Sequence, residues 1–222
     1  MMNFIYLANI NNLSWSVLQD QKKILSHSAQ LDIEKFRFEQ DKCRSLVGKM
    51  LLLYSLQCHE QFQQSHLPII DYGLYQKPFI RSIKGHFNIS HSHDWVACVY
   101  SSNGEVGIDI EHVKPINIID YKDVMTENEY QRALNHPNFD FFQLWTLKEA
   151  IMKAQGQGFY LSPSSFELPF PFYNDEIVEI NHTRWFVYSQ SFANEYKLSL
   201  ASLYPIVENV QVIPLQLDQF WQ

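Results

Sequence analysis

The chain has little of what marks secreted, zinc-binding or membrane proteins. Only three of its 222 residues are cysteines, Cys43, Cys58 and Cys98, and no CxxC spacing occurs. This odd and dispersed set predicts neither a disulfide framework nor a zinc site. No apolar run approaches the roughly 20 residues of a membrane span, and the first residues lack a signal-peptide pattern. The sequence favours a globular cytoplasmic protein that has no membrane partner.

Basic residues are also scarce. The formal net charge is −7, which argues against nucleic acid as a partner because phosphate contacts need clustered Lys and Arg. The charge is unevenly divided: residues 1–106 carry ten basic and nine acidic residues, and residues 107–222 carry seven and fifteen. We therefore expect anion-binding groups mainly in the first part and cation-binding groups in the second.

Hydrophobic spacing predicts helices and strands in mixed order, with no linker between them. In the first part we expect a strand over 3–8, helical spacing from Leu13 to Leu25 and a helix over 41–57. Beyond Pro68, short β-branched and aromatic runs predict a small sheet. Its expected strands are 73–75, 86–90, 95–100 and 106–113.

The second part is expected to begin with two helices. Thr126 and Glu129 fit a capping box that opens a short helix ending before His136. A longer helix is expected over 139–155, with Gly156 and Gly158 ending it. A loop follows, and the remaining strands are expected over 177–189, 196–204 and 207–215.

Asp109 and Glu111 lie two residues apart in a predicted strand. Strict alternation places Ile108 and Ile110 on one face and both carboxylates on the other. Two neighbouring carboxylates repel each other unless a cation lies between them, and a magnesium ion bound by oxygen ligands fits. A solvated acidic face of an amphipathic strand explains the same pattern.

Trp145, Glu149 and Lys153 are spaced by four and share one face of the predicted long helix. An ordinary Glu-to-Lys helix pair explains Glu149 and Lys153. Trp145 weakens that explanation, because a solvated charged stripe has little reason to include a large aromatic side chain.

Ser90 and His91 follow a strand in the segment Phe-Asn-Ile-Ser-His-Ser-His, residues 87–93. Read as metal ligands, the two histidines are a weak signal. Read as phosphate contacts, the Ser90 hydroxyl and a protonated His91 are suitable donors. A surface loop accounts for them equally well.

Taken together and in this order, the three motifs closely resemble the surfactin-synthetase-activating type of 4′-phosphopantetheinyl transferase. The family pattern has an Asn-x-Ser-His strand end, a Gly-Ile-Asp-Ile-Glu strand and a Trp-[Ser/Thr]-x-Lys-Glu-[Ser/Ala]-x-x-Lys helix. These correspond to residues 88–91, 107–111 and 145–153. A Lys-Pro at 77–78 and the glycines at 156 and 158 extend the resemblance.

The resemblance implies an enzyme that transfers the phosphopantetheine arm of coenzyme A to a serine of an apo carrier protein and releases 3′,5′-ADP. It implies that Asp109, Glu111 and Glu149 bind magnesium together with the coenzyme A diphosphate. Glu149 would be the catalytic base, acting directly or through a magnesium-bound water, and Lys153 would assist catalysis at the diphosphate. The implied coenzyme A contacts are Arg44, Ser45, Lys77, Ser90, His91 and Lys153, with Lys35 and Arg37 less firmly aligned.

The resemblance also implies an α+β fold of two similar halves, related by a pseudo-twofold axis with the active site in the cleft between them. We place the halves at 1–106, with the nucleotide and phosphate contacts, and 107–222, with the magnesium carboxylates. A monomer is expected because one chain holds both halves. The sequence departs from the pattern at Gln76, where glycine is usual, and at 26–30, where a basic cluster is often seen.

Three questions stay open at the level of sequence. The same carboxylates would serve a magnesium-dependent phosphohydrolase, and a non-enzymatic binding module is a further alternative. The carrier protein and its pathway are not identified. A docking patch for the carrier is one interpretation of the segment from Tyr121 to Met125, and core packing of Val124 and Met125 is the other.

Overall fold

The computed structural model describes residues 2–206 and 210–216. Helices and strands alternate irregularly along this part of the chain, as expected for an α+β protein. The α-helices described are Trp15–Leu18 (α1), His27–Glu34 (α2), Glu39–His59 (α3), Glu127–Asn135 (α4) and Phe141–Gln155 (α5). The strands described are Asn3–Asn9 (β1), Asp71–Tyr72 (β2), Pro78–Phe79 (β3), His86–Ser92 (β4), Trp95–Ser101 (β5), Val106–His112 (β6), Glu176–Ile180 (β7), Thr183–Phe192 (β8), Tyr196–Ser202 (β9) and Val210–Leu215 (β10).

Two four-stranded sheets form the centre of the molecule. The first has the order β10-β1-β5-β4, and the second has the order β6-β9-β8-β7. Neighbouring strands are antiparallel except β1 and β10, which run parallel with Asn3 opposite Val210. The chain thus returns to the first sheet after completing the second. The division at residue 106 stays a prediction.

Alternation along the strands gives each sheet two buried faces. On β1, Ile5 and Leu7 pack into a core that the two sheets share, whereas Tyr6 and Ala8 pack toward α3. In the second sheet, β6 and β9 contribute to the shared core and also contact α5. Each sheet therefore packs against the other sheet and against one long helix, which gives the two similar parts expected from the sequence.

The ends of the helices follow their capping residues. The Thr126 hydroxyl accepts a hydrogen bond from Glu129 N while the Glu129 side chain accepts one from Thr126 N, so the predicted capping box is confirmed. Helix α5 begins after Asp140, whose carboxylate accepts a hydrogen bond from Gln143 N. It ends at Gly156 with φ of 77°, the left-handed conformation that favours glycine.

Two predicted strands differ from the structure, and one helix was missed. The strand expected over 73–75 is a turn between β2 and β3, closed by a hydrogen bond from Gly73 N to Lys77 O. The strand expected over 177–189 is divided into β7 and β8, because Asn181 and His182 both have positive φ and form a tight turn. Helix α2 was not predicted.

The strand expected over 207–215 is confirmed for 210–215, and residues 207–209 lie outside the described residues. Among the helices that the structure describes, none combines the length and apolar character needed to cross a membrane.

Candidate active site

An open pocket of about 280 Å³ lies where β4, β6 and α5 meet. Strand β6 reaches α5 because Gly107 has no side chain: a Cβ there would lie 2.1 Å from Ala150 O and 2.4 Å from Ala154 N. This close approach brings the polar face of β6 beside the helix. The pocket is lined by Ile89, Ser90, His91, Asp109, Glu111, Trp145, Glu149 and Lys153.

The predicted alternation of β6 is confirmed. Ile108 and Ile110 are fully buried in the core shared by the sheets, whereas Asp109 and Glu111 line the pocket. Asp109 is only 3% exposed. A solvated acidic face is therefore the wrong interpretation of this strand, and both carboxylates lie inside the protein's polar pocket.

Lys153 and Ser90 hold the Asp109 carboxylate. Lys153 Nζ lies 2.6 Å from Asp109 Oδ1, and the Ser90 hydroxyl donates to the same oxygen at 2.8 Å. Lys153 Nζ also donates to Ser90 Oγ at 3.1 Å. The ion pair of Lys153 thus joins α5 to β6, and the helix pair with Glu149 considered at the sequence level is not what orients Lys153.

Two buried carboxylate oxygens in this pocket lack a donor. Within the described residues, Asp109 Oδ2 and Glu149 Oε1 are buried side-chain oxygens without a hydrogen-bond partner. Buried oxygens of this kind are costly unless a donor or a cation satisfies them. The arrangement therefore fits a bound cation.

Two glutamates in the pocket, Glu149 and Glu111, have raised pKa values. Burial raises the pKa of Glu149 to about 7, with Asp109 and Glu111 adding to the rise and the Lys153 charge opposing it. Burial and the Asp109 charge also raise the pKa of Glu111, while Ser92, Lys153 and Trp145 act in the other direction. Trp145 lines this same pocket, which explains why it belongs to the polar face of α5.

No group of three or more His, Cys, Asp and Glu side chains in the described parts of the chain is arranged to hold a metal ion by itself. Magnesium commonly takes one or two protein carboxylates and completes its coordination with substrate phosphates and water. The unpartnered oxygens of Asp109 and Glu149 fit that use.

His91 lies exposed at the mouth of the pocket. Partial desolvation, together with the positive charges of Arg44 and Lys153, lowers the pKa of His91. The lowered pKa disfavours the protonated imidazole at this position. A neutral imidazole still donates one hydrogen bond.

The other predicted coenzyme A contacts lie outside this pocket. On α3, Arg44 Nε donates to His93 O at 2.8 Å, and the Ser45 hydroxyl accepts from Lys49 Nζ at 2.8 Å. Lys35 is exposed and pairs with Asp32 at 2.6 Å. Arg37 lies over the ring of Phe38 at 5.4 Å.

Lys77 lies beside a second cavity of about 400 Å³, which Lys84, His86 and Glu105 also line. Lys77 pairs with Glu105 and donates to Ala154 O, a carbonyl at the end of α5, at 2.6 Å. Gln76, where the family has glycine, adopts φ of 64°. The chain thus keeps a left-handed conformation at this position without the residue that favours it.

A buried ion pair supports α5 from its other side. Lys148 is fully buried, pairs with Glu129 at 2.6 Å and donates to Pro163 O and Phe166 O. Glu129 in turn accepts from Leu168 N at 2.9 Å. Lys148 therefore ties α5 to α4 and to the loop that follows, a structural role that the sequence did not reveal.

Sequence reasoning also missed Ser92. Its hydroxyl donates to Glu111 Oε2 at 2.7 Å. The signal was available: Ser90 and Ser92 have the same spacing of two as Asp109 and Glu111. When polar residues alternate with the same spacing on two strands, each side chain of one strand can contact one side chain of the other.

Comparison with known proteins covers both parts of the chain. The family model for the 4′-phosphopantetheinyl transferase superfamily matches residues 105–201, and that for the N-terminal part of 4′-phosphopantetheinyl transferase matches residues 14–103. The chain is 31% identical to the 4′-phosphopantetheinyl transferase gsp of Aneurinibacillus migulanus, over 99% of this chain and 93% of that protein.

Two further relatives are similar over shorter alignments. The chain is 36% identical to the 4′-phosphopantetheinyl transferase psf-1 of Bacillus pumilus, over 67% of this chain and 65% of that protein. It is 29% identical to the 4′-phosphopantetheinyl transferase Sfp of Bacillus subtilis (strain 168), over 77% and 79%. The fold and these matches define a group-transferring enzyme. The chain belongs to the 4′-phosphopantetheinyl transferase superfamily.

Proposed function

We propose that this enzyme moves 4′-phosphopantetheine from coenzyme A to a serine of an apo carrier protein at the pocket between β6 and α5. Family membership supports the reaction. The observation that carries the assignment of the site is the presence, in one pocket, of three carboxylates, one lysine and two unpartnered carboxylate oxygens. The roles of individual residues below are part of the proposal.

Asp109, Glu111 and Glu149 would hold a magnesium ion together with the coenzyme A diphosphate, which would complete its coordination. All three line the pocket, and the unpartnered oxygens belong to Asp109 and Glu149. When bound, magnesium supplies positive charge that neutralises the diphosphate as negative charge grows on it. Lys153, whose Nζ lies 2.6 Å from Asp109 Oδ1, adds a fixed positive charge beside these carboxylates.

The transfer requires one proton to move. The bond from the serine oxygen to the β-phosphorus forms, the bond from that phosphorus to the bridging oxygen breaks, and 3′,5′-ADP leaves. Glu149 takes the proton of the serine hydroxyl. Burial raises the pKa of Glu149 to about 7 before a cation binds, and a bound magnesium ion would lower it, so the carboxylate would be ionised and able to accept a proton near neutral pH.

The remaining predicted residues would bind coenzyme A. Ser90 and His91 line the reaction pocket and would face the phosphates. Because the Ser90 hydroxyl already donates to Asp109, a phosphate contact from Ser90 would replace that bond or use backbone atoms. Lys77 lies beside the second cavity, whose lysines and histidine suit the 3′-phosphoadenosine end. Arg44, Ser45 and Lys35 are also proposed to bind coenzyme A, although Arg44 lies beyond the other end of β4, where it donates to His93 O.

One chain supplies every residue of the proposed site, so we propose that the monomer is the active form. The carrier is expected to dock near the pocket. The segment from Tyr121 to Met125 is a poor docking patch, because Met125 is buried and the Tyr121 ring packs on Phe141 with centroids 4.6 Å apart. Ile119, 60% exposed, is an outward apolar residue of the 3₁₀ helix Ile118–Val124, which includes most of this segment.

The function is tested by intact mass measurement. The protein is incubated with coenzyme A, magnesium and a panel of apo carrier proteins, and the expected product is a carrier with one phosphopantetheine added. Release of 3′,5′-ADP without an adduct on any carrier would indicate a hydrolase. The absence of both products would indicate a binding module.

Replacement of the proposed base tests its role in catalysis. We expect Glu149→Gln to lower the transfer rate by about 10²- to 10⁴-fold, the usual contribution of a general base. Glu127→Gln, an exposed glutamate on α4, is the matched control and should transfer at the wild-type rate. Thermal unfolding shows whether both variants stay folded. Near-normal turnover of folded Glu149→Gln would remove Glu149 from this role.

A further inference from the structure

The edges of the two sheets meet through side chains of β4. Strands β4 and β6 belong to different sheets, and alternate residues of β4 accept hydrogen bonds from alternate N–H groups of β6. The partner lies 20 residues further along the chain each time. The three bonds are Ile108 N to Asn88 Oδ1 at 3.0 Å, Ile110 N to Ser90 Oγ at 3.4 Å and His112 N to Ser92 Oγ at 3.1 Å.

Each serine in this row also holds a carboxylate. A hydroxyl has a single hydrogen to donate. Ser90 donates it to Asp109 Oδ1 at 2.8 Å, and Ser92 donates it to Glu111 Oε2 at 2.7 Å. The backbone of β6 therefore fixes each hydroxyl oxygen, and that hydroxyl in turn fixes the carboxylate on the neighbouring β6 residue.

Asn88, the first residue of this row, provides a comparison for the two serines. Asn88 accepts from the β6 backbone as the serines do, but the neighbouring residue there is Gly107, which has no side chain. Asn88 therefore satisfies the strand edge without orienting a carboxylate. Asp109, by contrast, is held twice, because Lys153 also donates to its Oδ1.

Glu111 depends more heavily on its serine. Its side chain has one more rotatable bond than that of Asp109. Among the described residues, Lys153 forms an ion pair with Asp109, and no lysine forms one with Glu111. We propose that Ser92 is a positioning residue, which turns the Glu111 carboxylate toward the cation site. The inference depends on the magnesium role of Glu111 that the proposed function assigns.

The test compares metal binding in Ser92→Ala, Ser92→Thr and Asn88→Ala with that in the wild type. Manganese serves as the probe, titrated in the presence of coenzyme A and followed by electron paramagnetic resonance. The magnesium concentration for half-maximal transfer is measured in parallel. Loss of a residue that orients a metal ligand typically weakens binding by about 10- to 100-fold.

We expect Ser92→Ala to raise both metal constants by about 10-fold, at the lower end of that range, because strand β6 still places Glu111 in the pocket. Ser92→Thr keeps a hydroxyl and should bind manganese within about twofold of the wild type, well below the change expected when an orienting residue is lost. Asn88→Ala should lower the unfolding temperature and leave the manganese constant unchanged. If Ser92→Ala does not fold, Ser92→Cys, whose thiol is a weak donor, should fall between the alanine and threonine results.

Two results would overturn the inference while the proposed function stands: wild-type manganese binding by folded Ser92→Ala, or equal weakening by Asn88→Ala. A wild-type protein that transfers phosphopantetheine without binding manganese or magnesium would also overturn it, together with the metal assignment. A wild-type protein that binds the metal without modifying any carrier would contradict the transfer reaction alone.

Discussion

At the scale of single residues, Gln76 shows how the chain keeps a conformation that suits glycine. Its φ of 64° lies in the left-handed region, where a side chain costs roughly 1–2 kcal/mol. The turn holds this conformation through hydrogen bonds from Gly73 N to Lys77 O and from Gln76 N to Gly73 O. The turn therefore accommodates a residue other than glycine at this position.

We expect Gln76→Gly to raise the free energy of unfolding by about 0.5 kcal/mol, because the relieved strain exceeds the added entropy of glycine in the unfolded chain. Urea denaturation measures the change. Gln57→Gly places the same substitution in helix α3, where it should lower stability by about 1 kcal/mol. A loss of stability in Gln76→Gly would show that the turn does not strain this residue.

The raised pKa of Glu149 predicts a pH dependence of stability. Because the pKa in the folded protein is about 7 and its ordinary value is 4.5, the folded state binds the proton more tightly than the unfolded state does. The resulting stabilisation is complete below pH 4.5 and is lost as the pH rises through 7. Glutamine at this position does not ionise, so the stability of Glu149→Gln does not fall in this way as the pH rises.

In metal-free buffer, the unfolding temperature of Glu149→Gln relative to the wild type should therefore increase from pH 5 to pH 8. Differential scanning calorimetry with a chelator present measures both proteins. Addition of magnesium should reduce the difference at pH 8, because a bound cation favours the ionised carboxylate. A difference that does not change with pH would contradict the raised pKa.

At the scale of elements, the close packing of β6 and α5 brings the carboxylates of two distant segments together. Gly107 lies against the backbone of α5 at Ala150 and Ala154, between Glu149 and the end of the helix. Any side chain at Gly107 would push the helix away from the strand. Glu149 and Lys153 would then move away from Asp109.

We expect Gly107→Ala to lower the free energy of unfolding by about 3 kcal/mol or more, the upper end of overpacking costs. Transfer activity should fall with it, since α5 carries Glu149 and Lys153. Urea denaturation and the mass assay measure the two effects. Gly73→Ala is the control, because its added Cβ would meet its nearest atom, Lys77 O, at 3.6 Å. A fully active Gly107→Ala would show that α5 tolerates the shift.

The sequence predicted those parts of the site that depend on local periodicity. Alternation placed Asp109 and Glu111 on one face of β6, and spacing by four placed Trp145, Glu149 and Lys153 on one face of α5. It did not predict that Lys153 pairs with Asp109, because no local pattern relates a helix to a strand about 40 residues away. The meeting of these two elements was expected from family resemblance.

At the scale of the whole molecule, the first sheet is completed by the end of the described chain. Strand β10 pairs with β1 over six residues, from Asn3 opposite Val210 to Ala8 opposite Leu215. Leu215 is buried in the core between the first sheet and α3. Strand β10 was predicted from its composition, but its partner was not, since pairing across 200 residues leaves no local signal.

We expect a chain that ends after Ile206 to lose at least about 2 kcal/mol of stability, the burial of Leu215 alone. It should also associate, because the edge of β1 becomes exposed. Urea denaturation and size-exclusion chromatography measure the two effects. Leu215→Ala keeps the strand and serves as the control: it should be less stable but remain monodisperse. An undiminished stability of the shortened chain would show that β10 contributes little.

The pairing of β1 with β10 also determines the order in which the molecule is completed during synthesis. Among the described strands, β1 is synthesised first and β10 last, so the two neighbours in the first sheet are separated by the synthesis of all the other described strands. Strands β6 to β9 and helix α5 emerge before β10 and can pair among themselves. The part of the pocket that carries the carboxylates can thus form before β1 has paired with β10.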